Sequence, residues 1–364
     1  MNPKNMRYRI ESFQIGYNAV THSQKWTLTA QILSRRYASS IPSTRKLTLD
    51  DHENQAFSLP DGRILGYAEY GNPDGFPMFA FHGFPSSRLE MSPIDKIARR
   101  RNIRLIALDR PGFGLSTFQP HRQIIDWPAD VLEFAQHAGL KRFSVIGLSG
   151  GGPYSVACAY KLPRDMLHSV GVFAGGPPWE AGRQHMPWFA RCTSTWATYL
   201  PFSFRVFSDG VVGMARWVMS TGPGIRQLDK LLESLQKQKS GEKKTELEKN
   251  DEQIPIAEQR ENVLSLVFAG FAQGSAAMVQ EAQLLSAQSW GFKFEDVNYD
   301  PIRIWHGSKD INSPVEMIRY MTKRLPHGVL KEFDDTHFTM AKHIGPALDE
   351  LVPADTAKKH IKEA

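Results

Sequence analysis

Two cysteines, Cys158 and Cys192, are all that 364 residues contain. Two thiols build no disulfide framework and offer no zinc-ligand spacing, so a reducing compartment is expected, with Cys158 a small core residue. Long apolar runs are missing too. The longest, about Val263 to Ala272, falls short of the roughly 18–20 residues that span a bilayer, which excludes a transmembrane helix. No internal repeat is present, so a solenoid is excluded. Acid is scarce in one place: residues 1–48 hold eight basic side chains and a single acid, Glu11, whereas the remainder holds 36 basic and 37 acidic residues. The net charge of +6 therefore belongs to the leader. The near-neutral body has no basic patch to follow phosphates, and nucleic acid is not an expected partner.

That leader is basic, nearly acid-free and lacks the apolar stretch of a secretory signal. Its composition is that of an organelle-targeting segment. Arg35-Arg36-Tyr37-Ala38-Ser39-Ser40 resembles a mitochondrial processing site with cleavage after Tyr37. A mitochondrial address is the expectation, and the cytoplasm the alternative.

What is present begins with Gly147-Leu148-Ser149-Gly150-Gly151, which follows the apolar run Phe143–Ile146 and opens a helical stretch. A serine hydroxyl is a poor nucleophile unless it is held clear of the backbone, beside a base, with donors aimed at the developing oxyanion. A sharp strand-to-helix turn does this, and it needs glycine on either side, hence Gly147 and Gly151. A second apolar run, Pro77–Phe81, leads into His82-Gly83-Phe84-Pro85. The backbone N–H groups of Phe84 and Gly150 are the expected pair of oxyanion donors. Each is worth about 2.7–4 kcal/mol of transition-state stabilisation. His82 and Gly83 are read as loop-shaping residues, and Asp109 and Arg110 as organisers of the next loop.

Hydrophobic periodicity predicts a hairpin over Gln55–Tyr70 turning at Asp61-Gly62. Strands at Met78–Phe81, Arg104–Leu108, Phe143–Leu148, Ser169–Ala174, Ile302–Trp305 and Val329–Phe333 then alternate with helices. That alternation means an α/β fold with a mostly parallel sheet and helices on both faces. The core is expected over 49–178 and 299–364. Between them, 179–298 reads helical throughout, as an inserted cap. Its first half is rich in Trp, Phe and Met, mostly expected to pack between helices, with a minority facing the pocket. Within it, 229–252 carries six lysines and seven acids and reads as a charged surface segment. Trp290-Gly291-Phe292 is expected to dock the insertion on the core.

The strings His82-Gly83-Phe84-Pro85, Asp109-Arg110-Pro111-Gly112-Phe113-Gly114, Gly147-Leu148-Ser149-Gly150-Gly151-Gly152-Pro153, Trp305-His306-Gly307-Ser308-Lys309-Asp310 and Asp335-Thr336-His337-Phe338, in that order, resemble the α/β-hydrolases. The resemblance covers roughly 54–351 and is nearest the capped esterase, proline-iminopeptidase and epoxide-hydrolase-like enzymes. It implies a chain order of serine, acid, histidine. Asp310 then orients the imidazole and His337 serves as base and acid, with Glu180 the substitute acid and His343 the rival base. Epoxide hydrolases and haloalkane dehalogenases attack with aspartate at the elbow. A serine there favours an acyl-serine intermediate and hydrolysis of an ester or thioester of a small hydrophobic substrate. The resemblance implies no metal and no organic cofactor. Open beside it stand a ligand-binding or receptor-like module with little turnover, and aminopeptidase, acyltransferase or cofactor-free oxygenase chemistry on the same triad. Oligomeric state is not legible.

Overall fold

The computed structural model describes residues 52–241 and 255–363. The leader, and the part of the charged segment beyond Gly241, lie outside the described residues.

Eight strands form one sheet: β1 (Gln55–Ser58), β2 (Ile64–Gly71), β3 (Phe76–Phe81), β4 (Ile103–Leu108), β5 (Phe143–Leu148), β6 (Leu167–Phe173), β7 (Ile302–Gly307) and β8 (Gly328–Phe333). Their spatial order is β1-β2-β4-β3-β5-β6-β7-β8. The β1–β2 and β2–β4 pairings are antiparallel, and all later ones are parallel. Every residue of β3 is buried, as a parallel strand covered on both faces requires. Successive side chains then point to opposite faces. Phe79 and Phe81 join the larger core, with Phe134, Tyr154, Cys158 and Ile318. Met78 and Ala80 join the other, with Ala98, Ile344 and Leu348.

Helices α1 (Asp95–Arg100), α2 (Trp127–His137), α3 (Gly152–Lys161) and α9 (Val315–Arg324) alternate with these strands, as the sequence predicts. Two more, α10 (Ile344–Leu351) and α11 (Ala354–Glu363), close the chain. His343 ends a short 3-10 helix, Thr339–His343, that runs directly into α10. The chain runs from β3 to β4 on one side and returns to β5 on the other. The sheet's switch point therefore lies between β3 and β5, where the carboxyl ends of parallel strands leave a crevice for ligands.

Among the described residues, five α-helices stand between β6 and β7: α4 (Trp188–Tyr199), α5 (Pro201–Ser220), α6 (Gly222–Gly241), α7 (Ile256–Ala269) and α8 (Ala276–Leu285). The aromatic-rich first half departs from expectation. Trp188, Phe189, Phe202, Phe207, Met214 and Trp217 are exposed and do not form an inter-helix core. The small core there is made by Ala197, Phe204, Val279 and Ala282, packed on Phe84, Trp196 and Met278. Trp290 is buried in the main core, and Phe292 stacks on Tyr160 with ring centroids 5.0 Å apart.

Candidate active site

Ser149 sits where β5 turns into α3, with φ +48°, a left-handed conformation that a side-chain-bearing residue adopts only when its surroundings force it. The glycines around it are forced by proximity. A Cβ on Gly147 would stand 2.2 Å from the Gly151 carbonyl oxygen, and one on Gly151 would stand 2.2 Å from that of Phe81. The strand, the turn and the neighbouring strand touch backbone to backbone, and no larger residue fits.

Asp310 and His337 arrive from the loops after β7 and β8. Asp310 is buried, and its Oδ1 accepts the N–H groups of Asn312 and Ser313, both at 2.9 Å. Its Oδ2 lies 2.6 Å from His337 Nδ1, and His337 Nε2 lies 3.1 Å from Ser149 Oγ. A carboxylate only accepts, so Nδ1 carries the proton. The Nε2 lone pair of the neutral ring then faces the serine hydroxyl. Three side chains separated by up to 188 residues thus form one hydrogen-bonded line.

Opposite that line stands the loop after β3. A Cβ on Gly150 would lie 3.2 Å from the Phe84 amide nitrogen, so the Phe84 backbone runs close against the residue that follows Ser149. Among the described residues, no backbone carbonyl accepts the Phe84 N–H. Behind it, His82 Nδ1 donates to the Gly83 carbonyl at 2.8 Å, and its Nε2 accepts the Arg110 N–H at 3.1 Å. Burial and the nearby Arg110 charge push the His82 pKa well below the usual histidine range, so the ring is a neutral brace.

The other candidate acid and base are engaged elsewhere. Glu180 pairs with Arg324. His343 Nε2 lies 2.8 Å from Asp335 Oδ2, and its ring stacks on Phe333 at 4.0 Å. Asp335 itself is held well below the usual carboxylate range by Lys342 and His343. Asp109 meets Arg88 at 2.8 Å and accepts the Leu115 N–H. Among the described residues, no three His, Cys, Asp or Glu side chains gather as a metal-ligand set.

Three residues that the sequence reading passes over bear on the site. Glu90 Oε2 accepts the Gly83 N–H at 2.7 Å, and burial pushes its carboxyl above the usual glutamate range. Gly83 is wedged between that carboxylate and Ser149, since a Cβ there would be 3.1 Å from Glu90 Oε1 and 3.2 Å from Ser149 Cβ. His306 Nε2 donates to the Ser313 carbonyl at 2.8 Å, behind Asp310. Glu281, on α8, is fully buried and meets Arg110 at 2.9 Å, Tyr154 Oη at 2.8 Å and Arg122. Arg110 also donates to the carbonyls of His82 and Gly83, the latter at 3.0 Å. The inserted helices and the loop after β3 therefore share one guanidinium. Burial raises the Glu281 pKa, but the charges of Arg110 and Arg122 overcome this and hold it below the usual glutamate range. A lone glutamate in an apolar helix carries no motif. Only Arg110, 171 residues earlier, gives it meaning.

A mostly parallel sheet, a serine on the turn from its central strand into a helix, and helices inserted after β6 define a fold class. Residues 78–335 match the alpha/beta hydrolase family, and the chain belongs to that family. It is similar to Lipase 1 of Psychrobacter immobilis, 31% identical over 158 residues that make up 39% of this chain and 48% of that protein. It is also similar to haloalkane dehalogenase 2 of Mycobacterium tuberculosis, 33% identical over 159 residues, 43% of this chain and 53% of that protein. The chain spans about half the length of the curated relatives it matches. Among solved structures, an esterase from Exiguobacterium antarcticum superposes with a TM-score of 0.54 at 15% identity, covering 82% of this chain and 98% of that one. An enol-lactonase from Burkholderia xenovorans gives 0.52 at 15% identity, covering 82% and 99%. At such identity the likeness is one of fold.

Proposed function

We propose that this chain is a serine hydrolase that cleaves the ester or thioester bond of a small hydrophobic substrate through an acyl-serine intermediate. The observation that carries the reading is the line from Asp310 through His337 to Ser149, at 2.6 and 3.1 Å. His337 Nε2 takes the hydroxyl proton as Ser149 Oγ attacks the carbonyl carbon. The oxyanion so formed lies against the Phe84 and Gly150 amides, and Asp310 stabilises the imidazolium. Collapse expels the alcohol or thiol, which takes the proton from His337. Water, deprotonated by the same imidazole, then releases the acid and frees the serine. The apolar neighbours of Gly150, Phe84 and Leu285, favour an apolar acyl group over a charged one. The names of the lipase and esterase relatives point the same way.

The test combines covalent labelling by a fluorophosphonate with an ester panel of graded acyl length. Labelling and turnover in the wild type, both lost in Ser149→Ala, are the expected result. A wild type that neither labels nor turns over any ester, or a Ser149→Ala variant that still labels, refutes the proposal.

A further inference from the structure

We infer that the outer face of α5 is a docking surface for an anionic lipid bilayer, on which the molecule lies without crossing it. At 3.6 residues per turn, Phe202, Val206, Phe207, Val211, Met214 and Trp217 fall on one half of the helix. All six are at least half exposed, from 51% for Val211 to 78% for Phe202. No charged side chain shares that half. Arg205, Asp209 and Arg216 all lie on the other, with Phe204 and Ser208, which are buried. The helix is apolar on its inward arc as well, at Phe204, Val212 and Met219, so its outer half is a second apolar side, and a contiguous apolar patch in water marks a surface that something covers. On α4 and at its C-terminal end, exposed Trp188, Tyr199 and Leu200 line an open groove of about 500 Å³, with Arg183 and Arg191 also in its lining. None of the groove's lining residues belongs to the serine site.

Charge selects the occupant. Residues 183–226 carry five arginines and one acid, Asp209, which Arg205 pairs at 3.6 Å. Arg183, Arg205, Arg216 and Arg226 are exposed. An apolar strip bordered by guanidinium groups, with tryptophan and tyrosine among its aromatics, suits the boundary between acyl chains and acidic headgroups. A second copy suits it poorly, because an isologous pair would set the same arginines against each other. The strip also offers few directional donors or acceptors, whereas a protein interface carries about ten hydrogen bonds. Among the described residues no helix is long and apolar enough to cross a membrane, so the contact is with one leaflet. The inner side of the same helices, through Ala197 and Phe204, packs with Phe84. Docking places the serine site within about two helix diameters, roughly 20–24 Å, of the lipid. The inference does not depend on what Ser149 does.

The experiment is co-sedimentation of the full chain with vesicles of phosphatidylcholine alone, and of phosphatidylcholine mixed with phosphatidylglycerol. The basic leader is common to every variant, so differences between variants report on α5. The wild type should sediment with the mixed vesicles, and Met214→Glu combined with Trp217→Glu should lower its partition about tenfold or more. Both positions are two-thirds exposed, so the thermal melt should not move. If it does, Phe202→Ser with Trp217→Ser replaces the pair and the same fall is expected. Arg205→Gln with Arg226→Gln should narrow the preference for mixed over neutral vesicles. A wild type left in the supernatant of both vesicles, or α5 variants that bind as tightly, overturns the inference. So does a dimer in the ultracentrifuge that the variants dissociate while nothing binds lipid. An unchanged preference in the arginine variant overturns its anionic component.

Discussion

Glu281→Gln removes one negative charge from a cluster that water does not reach. The two carboxylate oxygens receive Arg110 Nε at 2.9 Å, Tyr154 Oη at 2.8 Å and an Arg122 guanidinium nitrogen. Arg110 and Glu281 are wholly buried and the Arg122 side chain is 2% exposed. Glutamine keeps the shape and one acceptor oxygen but leaves two guanidinium charges facing each other with no carboxylate between them. At an effective dielectric of about 20, one such pair about 4 Å apart is worth about 4 kcal/mol. Removing one partner of a buried pair costs about 3–5 kcal/mol, much of it the penalty of the stranded charge. At roughly 2–4 °C per kcal/mol, that is a fall in melting temperature of roughly 6–20 °C. The assay is urea or thermal unfolding followed by circular dichroism. Arg122→Met should cost less in the Glu281→Gln background than in the wild type, by about 1–3 kcal/mol. The pH dependence has a definite sign. A carboxyl held below its unfolded value contributes stability that is complete above that value and is lost as pH falls through the folded pKa. The gap between wild type and Glu281→Gln should therefore be full at neutral pH and narrow below about 4.3, the ordinary glutamate value. A gap of under about 1 kcal/mol at neutral pH, or one that widens on acidification, refutes the reasoning.

Asp310→Asn should leave the melt nearly unchanged and lower ester turnover about 10⁴-fold, because an amide can donate to Nδ1 and stabilise the wrong tautomer; steady-state kinetics on a p-nitrophenyl ester decides it. Gly151→Ala should fail to accumulate as folded protein, since its methyl would sit 2.2 Å from the Phe81 carbonyl oxygen; soluble yield and near-ultraviolet dichroism report this. Glu180→Gln should leave turnover within about twofold of wild type, because that carboxylate serves Arg324 and not His337. One thiol, Cys192, should react quickly with an aromatic disulfide reagent. Cys158, buried and with its pKa pushed up by that burial, should react only after denaturation.

Most of the core was legible because its physics is local. A parallel strand buried on both faces must be almost wholly apolar, and Met78–Phe81 and Phe143–Leu148, with Ser144 its one polar side chain, announce themselves that way. The elbow was legible because steric exclusion writes glycine at fixed offsets from a serine. What escaped notice depends on partners distant in sequence or on sidedness. Glu281 looks like any helical glutamate until Arg110 and Arg122 converge on it. The carboxylate of Glu90, beside the loop after β3, looks like a surface acid seven residues past Gly83. The period of α5 reveals that it has an apolar side, but periodicity does not say whether that side faces protein or solvent, and here it faces out.

The chemistry of the proposed site is split by the insertion. Ser149 is synthesised before it, on β5, while Asp310 and His337 follow only after β7 and β8 add to the sheet. At about 5–20 residues per second, the 188 residues between serine and imidazole take roughly 10–40 s to translate. A nascent chain thus passes through a long interval in which the hydroxyl is built and has no base to activate it. On the proposed reading, reactivity is acquired only once the strands that follow the inserted helices have been made.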